Sequence, residues 1–249
     1  MKDVQSLSVA EHFLSIQGEG QTAGRPAYFL RLAGCNLLCG GKKQLENGAA
    51  WVCDSIEVWM KGTRVNFPDL VEKMGGETFI NDLQNKHVHL IVTGGEPLLQ
   101  DEALANFLTY IQIRFGFLPI IEIETNGTII PTLNLIRLVA YWNVSPKLSN
   151  SGEPGAKRIN VEFIHKFSAM GPRTMFKFVI ANTERDWEEI EADYLPYIKD
   201  RRQIWLMPAA SSQDELNLVS EFVGNLCIDE RINMSTRLQL VNWNQTTGV

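Results

Sequence analysis

Along most of the chain, short runs rich in β-branched and aromatic residues alternate with runs whose apolar residues recur at helical spacing. That alternation is the strongest constraint on the fold. Pro26-Ala27-Tyr28-Phe29-Leu30-Arg31-Leu32 reads as a first strand, and 88–92 as a second. Asp101 reads as the N-cap of a helix reaching about Phe115, with Ala105, Leu108, Ile111 and Phe115 at helical spacing. Strands follow at 119–123, 142–144, 175–180, 203–207 and 236–241, and helices at 132–140, 161–170, 184–194 and 213–226. Residues 149–157 form a loop rich in Gly, Pro and Ser. Strand-then-helix repetition predicts an α/β fold of parallel strands with crossover helices, a barrel or partial barrel. No repeat or linker divides the chain, so a single domain over 1–249 is expected. Its chemistry is expected in the loops after the strand C-termini.

Of 249 residues, 45% are hydrophobic and 21% charged, an ordinary globular mix that excludes long disorder and collagen. The formal charge is -6, so no net basic field exists for a polyanion and nucleic acid is not an expected partner. Met1-Lys2-Asp3-Val4-Gln5-Ser6 has no apolar signal-like core. No stretch approaches the roughly 20 apolar residues that span a bilayer. A cytoplasmic protein without a membrane partner is expected.

Four cysteines are present, and Cys35, Cys39 and Cys53 lie within 19 residues, with Cys227 far away. A secreted disulfide framework uses more cysteines in a shorter chain. In a reducing compartment the three suit a metal or redox site. A structural zinc takes four protein ligands, whereas three thiolates on a [4Fe-4S] cube leave one iron free for a small molecule. Incidental thiols, or zinc with a distant fourth ligand, are the plainer alternatives.

Gly94-Gly95 lets backbone approach a ligand, and Glu96 can accept from an ammonium group; a turn opening a helix at Pro97 explains the same residues. Asn126-Gly127 has turn chemistry. Ser145-Pro146-Lys147 can hydrogen-bond a ribose or carboxylate, or simply end a strand. Ser15-Ile16-Gln17-Gly18-Glu19-Gly20 lies before the first predicted strand, and Gln17 offers donors and an acceptor to a heterocycle. Arg31, a charge in an apolar strand, fits either a substrate carboxylate or an internal acidic partner. The histidines show no metal-ligand spacing and receive no role. Four of these segments, the cysteine run, 93–97, 124–127 and 145–147, fall on one predicted rim.

In order, Ser15-Ile16-Gln17-Gly18-Glu19-Gly20, Arg31-Leu32-Ala33-Gly34-Cys35-Asn36-Leu37, Cys53-Asp54-Ser55, Thr93-Gly94-Gly95-Glu96-Pro97, Glu124-Thr125-Asn126-Gly127 and Ser145-Pro146-Lys147 resemble the 7-carboxy-7-deazaguanine synthases. These are radical S-adenosylmethionine (SAM) enzymes of queuosine and deazapurine biosynthesis. The resemblance implies a partial (β/α) barrel with mostly parallel strands, a [4Fe-4S] cluster, SAM, Mg2+ and a homodimer. It also implies an electron donor such as flavodoxin. The implied reaction is a lyase-type ring contraction. It converts 6-carboxy-5,6,7,8-tetrahydropterin to 7-carboxy-7-deazaguanine and releases ammonia. Carried over position by position, Cys35, Cys39 and Cys53 match cluster ligands. Gly94, Gly95, Glu96, Asn126, Ser145, Pro146 and Lys147 match the SAM-binding segments. Ile16, Gln17, Gly18, Glu19, Arg31 and Thr93 match substrate contacts, and Ser55 stands where the family carries a magnesium-binding threonine.

The chain departs from the family pattern in three places. An insertion at about 40–52 separates Cys39 from Cys53, where the family spacing is Cys-x-x-Cys. Ser55 keeps the hydroxyl but lacks the methyl that stiffens a threonine rotamer. The tail Gln239-Leu240-Val241-Asn242-Trp243-Asn244 lacks the His-Lys sequence common near the end of shorter members, so no C-terminal substrate contact carries over. A glycyl-radical activase and a non-enzymatic metal-binding protein are the rival readings.

Overall fold

The computed structural model describes residues 5–41 and 45–246. The N-terminal residues 1–4, and residues 42–44 of the predicted insertion, lie outside the described residues. Among the described residues nine strands form one sheet: β1 (Ser6–Ile16), β2 (Pro26–Leu32), β3 (Thr63–Asn66), β4 (His89–Gly94), β5 (Ile121–Thr125), β6 (Tyr141–Val144), β7 (Thr174–Ile180), β8 (Ile204–Pro208) and β9 (Asn233–Met234). Their order is β3-β1-β2-β4-β5-β6-β7-β8-β9. Every neighbour pair from β2 to β9 is parallel, while β1 pairs antiparallel with both β2 and β3.

Between the strands run α1 (Ile56–Trp59), α2 (Phe67–Lys73), α3 (Glu77–Gln84), α4 (Asp101–Phe115), α5 (Leu133–Leu138), α6 (Gly155–Arg158), α7 (Val161–Ser168), α8 (Thr183–Asp193), α9 (Gln213–Glu230) and α10 (Leu238–Trp243). No described helix is long and apolar enough to cross a membrane.

Side chains alternate across each strand, and this divides the molecule into two chemistries. One face carries Leu30, Leu90, Val92, Ile123, Trp142, Val144, Phe176 and Phe178, all buried in a core shared with the helices. From α4, Leu104, Phe107, Leu108 and Ile111 complete it at i, i+3, i+4 and i+7. Fully burying each such side chain contributes about 1.5–3 kcal/mol. The opposite face holds a small apolar patch, Ala27, Phe29 and Ile91, with Phe13 stacked on Phe29 at 5.0 Å, and further along Met175 and Met207. Between these that face carries polar and charged side chains: Arg31, His89, Thr93, Glu122, Glu124, Asn143 and Lys177.

Three expectations need correction. The segment beginning at Ser15 does not precede the first strand; Ser15 and Ile16 end β1. This strand carries Glu11 and His12 amid apolar residues and bulges between Val9 and Glu11, which blurs its period-2 pattern. The predicted last strand over 236–241 is replaced by β9 and by helix α10. Leu238 and Leu240 alternate like strand residues, but only Leu240 of this helix is buried and the turn docks on α9. Asp101 is the first residue of α4, not its cap; its carboxylate instead accepts from Thr132 N (2.6 Å) and Oγ1 (3.0 Å), tying α4 to α5. Within the predicted loop 149–157, a 3-10 turn at Ser149–Ser151 and the start of α6 are ordered.

Candidate active site

The chain leaves the C-terminal end of β2 into the segment holding Cys35 and Cys39. After the insertion Cys53 returns beside Cys39, its N–H donating to the Cys39 carbonyl at 3.2 Å. The excursion is fastened to the loop after β6. Gly40 N–H donates to the Ser151 carbonyl (2.9 Å), Ala50 N–H to the Asn150 carbonyl (2.8 Å), and Trp51 Nε1 to Asn150 Oδ1 (2.9 Å). Lys147 Nζ lies 5.8 Å from the centre of the Trp51 ring and donates to Ser145 Oγ at 2.9 Å.

Burial pushes the Cys35 and Cys39 thiols up, Cys39 to about 12; the ammonium of Lys147 opposes both shifts, and the neighbouring sulfurs reinforce them. Thiols in mutual electrostatic reach need a cation to ionise, and a coordinated metal supplies that by removing the proton outright. Among the described residues no three His, Cys, Asp or Glu side chains converge on a single ion. In a four-iron cube each thiolate takes its own iron, so the ligands stand further apart than around one zinc. Three thiols around a common mouth, with no fourth, fit that cube.

The end of β4 passes very close to this loop. A Cβ on Gly94, at φ 142°, would stand 2.2 Å from the Leu32 carbonyl oxygen. One on Gly95 would stand 2.1 Å from the Gly34 oxygen and 2.7 Å from Cys35 Cβ. Glycine is therefore required for the approach. Glu96 follows, fully buried, and its carboxylate accepts from Leu98 N (3.0 Å), Thr125 Oγ1 (2.8 Å) and Asn126 N (2.8 Å). Burial raises its pKa against those donors. The sequence suggests an ammonium partner or a helix opening; the structure gives it the capping position of a 3-10 turn at Pro97–Gln100 and a clamp between the loops after β4 and β5. Asn126 Nδ2 donates to Asn36 Oδ1 (2.9 Å), lacing the β5 loop to the cysteine segment, and Ser145 N donates to the Thr125 carbonyl (2.7 Å). All four predicted rim segments thus meet.

On the polar face beneath the rim, Glu124 is a hub. Gln17 Nε2 donates to its Oε1 at 3.1 Å and Thr93 Oγ1 to its Oε2 at 2.8 Å. Arg31, opposite Thr93 in register, pairs with Glu11 of β1, Nε to Oε1 at 2.7 Å, so the acidic-partner alternative has a named residue. Ile16 pairs with Pro26 at the end of β1. Glu19 donates its N–H to Gln17 Oε1 at 3.2 Å, while its carboxylate points toward Lys177, Arg237 and Gln239. Burial alone would raise the Glu19 carboxyl, but Lys177 and Arg237 overrule it and hold it at about 2. Ser55 Oγ lies 3.6 Å from Cys53 Sγ and makes no capping bond to α1, although it occupies the N-cap.

Deeper still, Glu122 is fully buried and takes His89 Nδ1, Thr22 Oγ1 (2.8 Å) and Asn143 Nδ2 (3.0 Å). Sequence reasoning missed Glu122, Lys177, Arg237 and Gln239 as site residues, named Glu124 only as part of the 124–127 segment, and gave His89 no role. The signal that singled out Arg31, a charge inside an apolar strand, is repeated in Ile121-Glu122-Ile123-Glu124 and Phe176-Lys177-Phe178.

A mostly parallel open sheet with a three-thiol loop over a polar inner face defines a cluster-binding α/β enzyme of the partial-barrel type. Comparison with known proteins agrees: a family profile described as a 4Fe-4S single cluster domain matches residues 16–145. The 7-carboxy-7-deazaguanine synthase of Pyrobaculum aerophilum is 32% identical over 250 residues, covering 100% of both chains. That of Hyperthermus butylicus is 31% identical over 241 residues, 94% of this chain and 92% of the relative. The crystal structure of QueE from Escherichia coli shares the fold, with TM-score 0.60, 24% identity and 93% of each chain covered. The chain belongs to the 7-carboxy-7-deazaguanine synthase family.

Proposed function

We propose that this chain converts 6-carboxy-5,6,7,8-tetrahydropterin to 7-carboxy-7-deazaguanine, with loss of ammonia, as a radical SAM lyase of 7-deazapurine biosynthesis. The observation that carries the reading is the return of Cys53 to Cys39 beside Gly95 and above the Gln17–Glu124–Thr93 hub. Cys35, Cys39 and Cys53 would hold three irons, leaving the fourth for the amino and carboxylate groups of SAM. When bound, the reduced cluster and SAM would together supply one-electron chemistry for hydrogen abstraction from the substrate.

The protein's own part is placement and exclusion of water. Gly94 and Gly95 bring strand backbone to the cofactor, while Glu96 and Asn126 brace the loops that line it. Ser145, Pro146 and Lys147 form the wall beside the cysteines. Gln17, Gly18 and Thr93 face the pterin, with Glu124 fixing the Gln17 amide and the Thr93 hydroxyl. Arg31 offers a guanidinium fork to the substrate carboxylate at the cost of its half-buried Glu11 pair. The Ser55 hydroxyl, free of a capping bond, is one oxygen for Mg2+, a hard cation whose other ligands would be substrate and water. The chain acts as one domain and as a homodimer in the cytoplasm, reduced by a flavodoxin-like donor.

Anaerobic reconstitution with iron and sulfide, followed by SAM, reductant and the carboxytetrahydropterin, tests this. Mass analysis is expected to find 7-carboxy-7-deazaguanine. SAM cleavage without that product would favour the activase reading. Protein carrying one zinc and no iron would overturn the enzymatic one.

A further inference from the structure

The C-terminal segment, which no motif covers, closes on the segment assigned to substrate. Gly20 N donates to Ser235 Oγ at 2.9 Å, Leu238 N to the Gly18 carbonyl at 2.9 Å, and Gln239 Nε2 to Glu19 Oε1 at 2.7 Å. At the centre stands Arg237, whose side chain is 13% exposed. Its Nε meets Glu19 Oε1 at 3.1 Å, its Nη1 donates to the Ala210 carbonyl at 2.5 Å, and its Nη2 meets Asp54 Oδ2 at 2.5 Å. Asp54 directly follows Cys53. One guanidinium therefore joins three segments remote in sequence: the Gly18–Gly20 turn, the end of the cysteine loop and the loop after β8.

We infer that Arg237 is a positioning residue that sets the pterin-facing turn against the cysteine loop by bridging Glu19 and Asp54. The inference rests on the assignment of residues 17–20 to substrate made above. A guanidinium suits the task because its fork presents donors in several directions at once, where an ammonium is a point charge. Glu19 keeps Lys177 and Gln239 if Arg237 is removed, so the turn retains partners. What is lost is one of Glu19's three partners, the hold on the Ala210 carbonyl and, with them, the link to Asp54. The tail thus joins the two halves of the site.

The test compares cluster-free full-length wild type, Arg237→Gln, Arg237→Lys, Asp54→Asn, the double variant Arg237→Gln/Asp54→Asn, and Arg202→Gln as an exposed ion-pair control. Hydrogen–deuterium exchange of the peptides around 17–25 and 53–59 is read first. Asp54→Asn is expected to speed exchange in 17–25 about tenfold, although it lies on the other segment. Adding Arg237→Gln, which also removes the Glu19 contact, should add clearly less than that change does alone, since coupled residues are non-additive. Arg237→Lys should fall between, and the control should match wild type. Anaerobic titration with the carboxytetrahydropterin then should show about tenfold weaker binding in Arg237→Gln and Asp54→Asn alike. In reconstituted enzyme the loss should fall on KM for the pterin and on SAM cleaved per product, more than on kcat. Additive exchange effects, or an Asp54→Asn protein unchanged around 17–25, would overturn the bridge. Intact coupling with no pterin binding by wild type would instead overturn the assignment of 17–20 to substrate, and the positioning role with it.

Discussion

Cys53 donates its backbone N–H to the carbonyl of Cys39 across an excursion of thirteen residues. The hydrogen bond restores the neighbourhood that a Cys-x-x-Cys spacing provides by sequence alone. On the proposed assignment, Cys35, Cys39 and Cys53 act as one ligand set. Replacing any of them by Ala should reduce iron after anaerobic reconstitution to under about a tenth of wild type, because a cube held at three corners has no spare ligand. Cys227 sits in α9 with its Sγ 3.5 Å from the Asn233 carbonyl oxygen, far from this loop in the chain. Cys227→Ala should bind full iron. Iron and acid-labile sulfide assays check both.

Trp51 anchors the excursion. It gives one hydrogen bond to Asn150 and receives the Lys147 ammonium over its ring. The bond contributes about 0.5–1.5 kcal/mol and the cation–π contact about 0.5–1. Trp51→Ala should therefore lower the stability of cluster-free protein by about 1–2 kcal/mol in urea unfolding. Trp51→Phe, which keeps the ring but loses the donor, should cost about half of that.

The close approach at Gly95 predicts a defect of a different kind. A methyl there meets the Gly34 carbonyl and Cys35 Cβ, and neither is the tip of a flexible side chain. Overpacking of this sort costs typically 1–3 kcal/mol. Gly95→Ala should displace Cys35 from the mouth, so that iron uptake falls by more than half. The far-ultraviolet circular dichroism should stay at the wild-type level, since the clash falls between the loops that follow β2 and β4 and not within a strand or helix.

The helical crossovers and most of the parallel strands were legible because their helix-facing residues are apolar and periodic, as in α4 and β7. Strand β1 was not, since much of its polar content reflects partners outside the strand: Glu11 serves Arg31, and Ser8 bonds Gln100 through its main chain. Helix α10 was misread because Leu238 and Leu240 fit period 2, while its docking on α9 and at Gly18 is tertiary. The thiols and rim loops were legible through short motifs with a chemical reason. The inner-face hubs at Glu122 and Glu124 were hidden, because a carboxylate's three donors come from different strands and loops. Only an inward-facing charge in an apolar run announces such a hub, and that rule was applied to Arg31 alone.

Glu122 shows what such a hub is worth. His89, Thr22 and Asn143 all spend polar groups on its carboxylate away from water. Deleting one partner of a buried, hydrogen-bonded charge typically costs 3–5 kcal/mol, because the others are left unsatisfied. Glu122→Ala should lose about that much in urea unfolding. Glu122→Gln should lose less, because the amide oxygen still accepts from Thr22 or Asn143.

Glu19 gives the pH dependence its sign. Its carboxyl is held at about 2 against an ordinary 4.5, by Lys177 and Arg237 acting against burial. A depressed folded-state pKa means that the unfolded chain binds its proton first as pH falls. The stabilisation is thus complete above about pH 4.5 and is lost as pH drops through about 2. A shift of this size corresponds to about 3 kcal/mol at neutral pH and roughly half of that at pH 3. Glu19→Gln should therefore lower the urea midpoint strongly at pH 7, and the gap to wild type should narrow at pH 3. A gap that stayed constant between those two pH values would mean that Glu19 contributes packing and hydrogen bonds, and that its charge adds nothing to the joint between the turn and the tail.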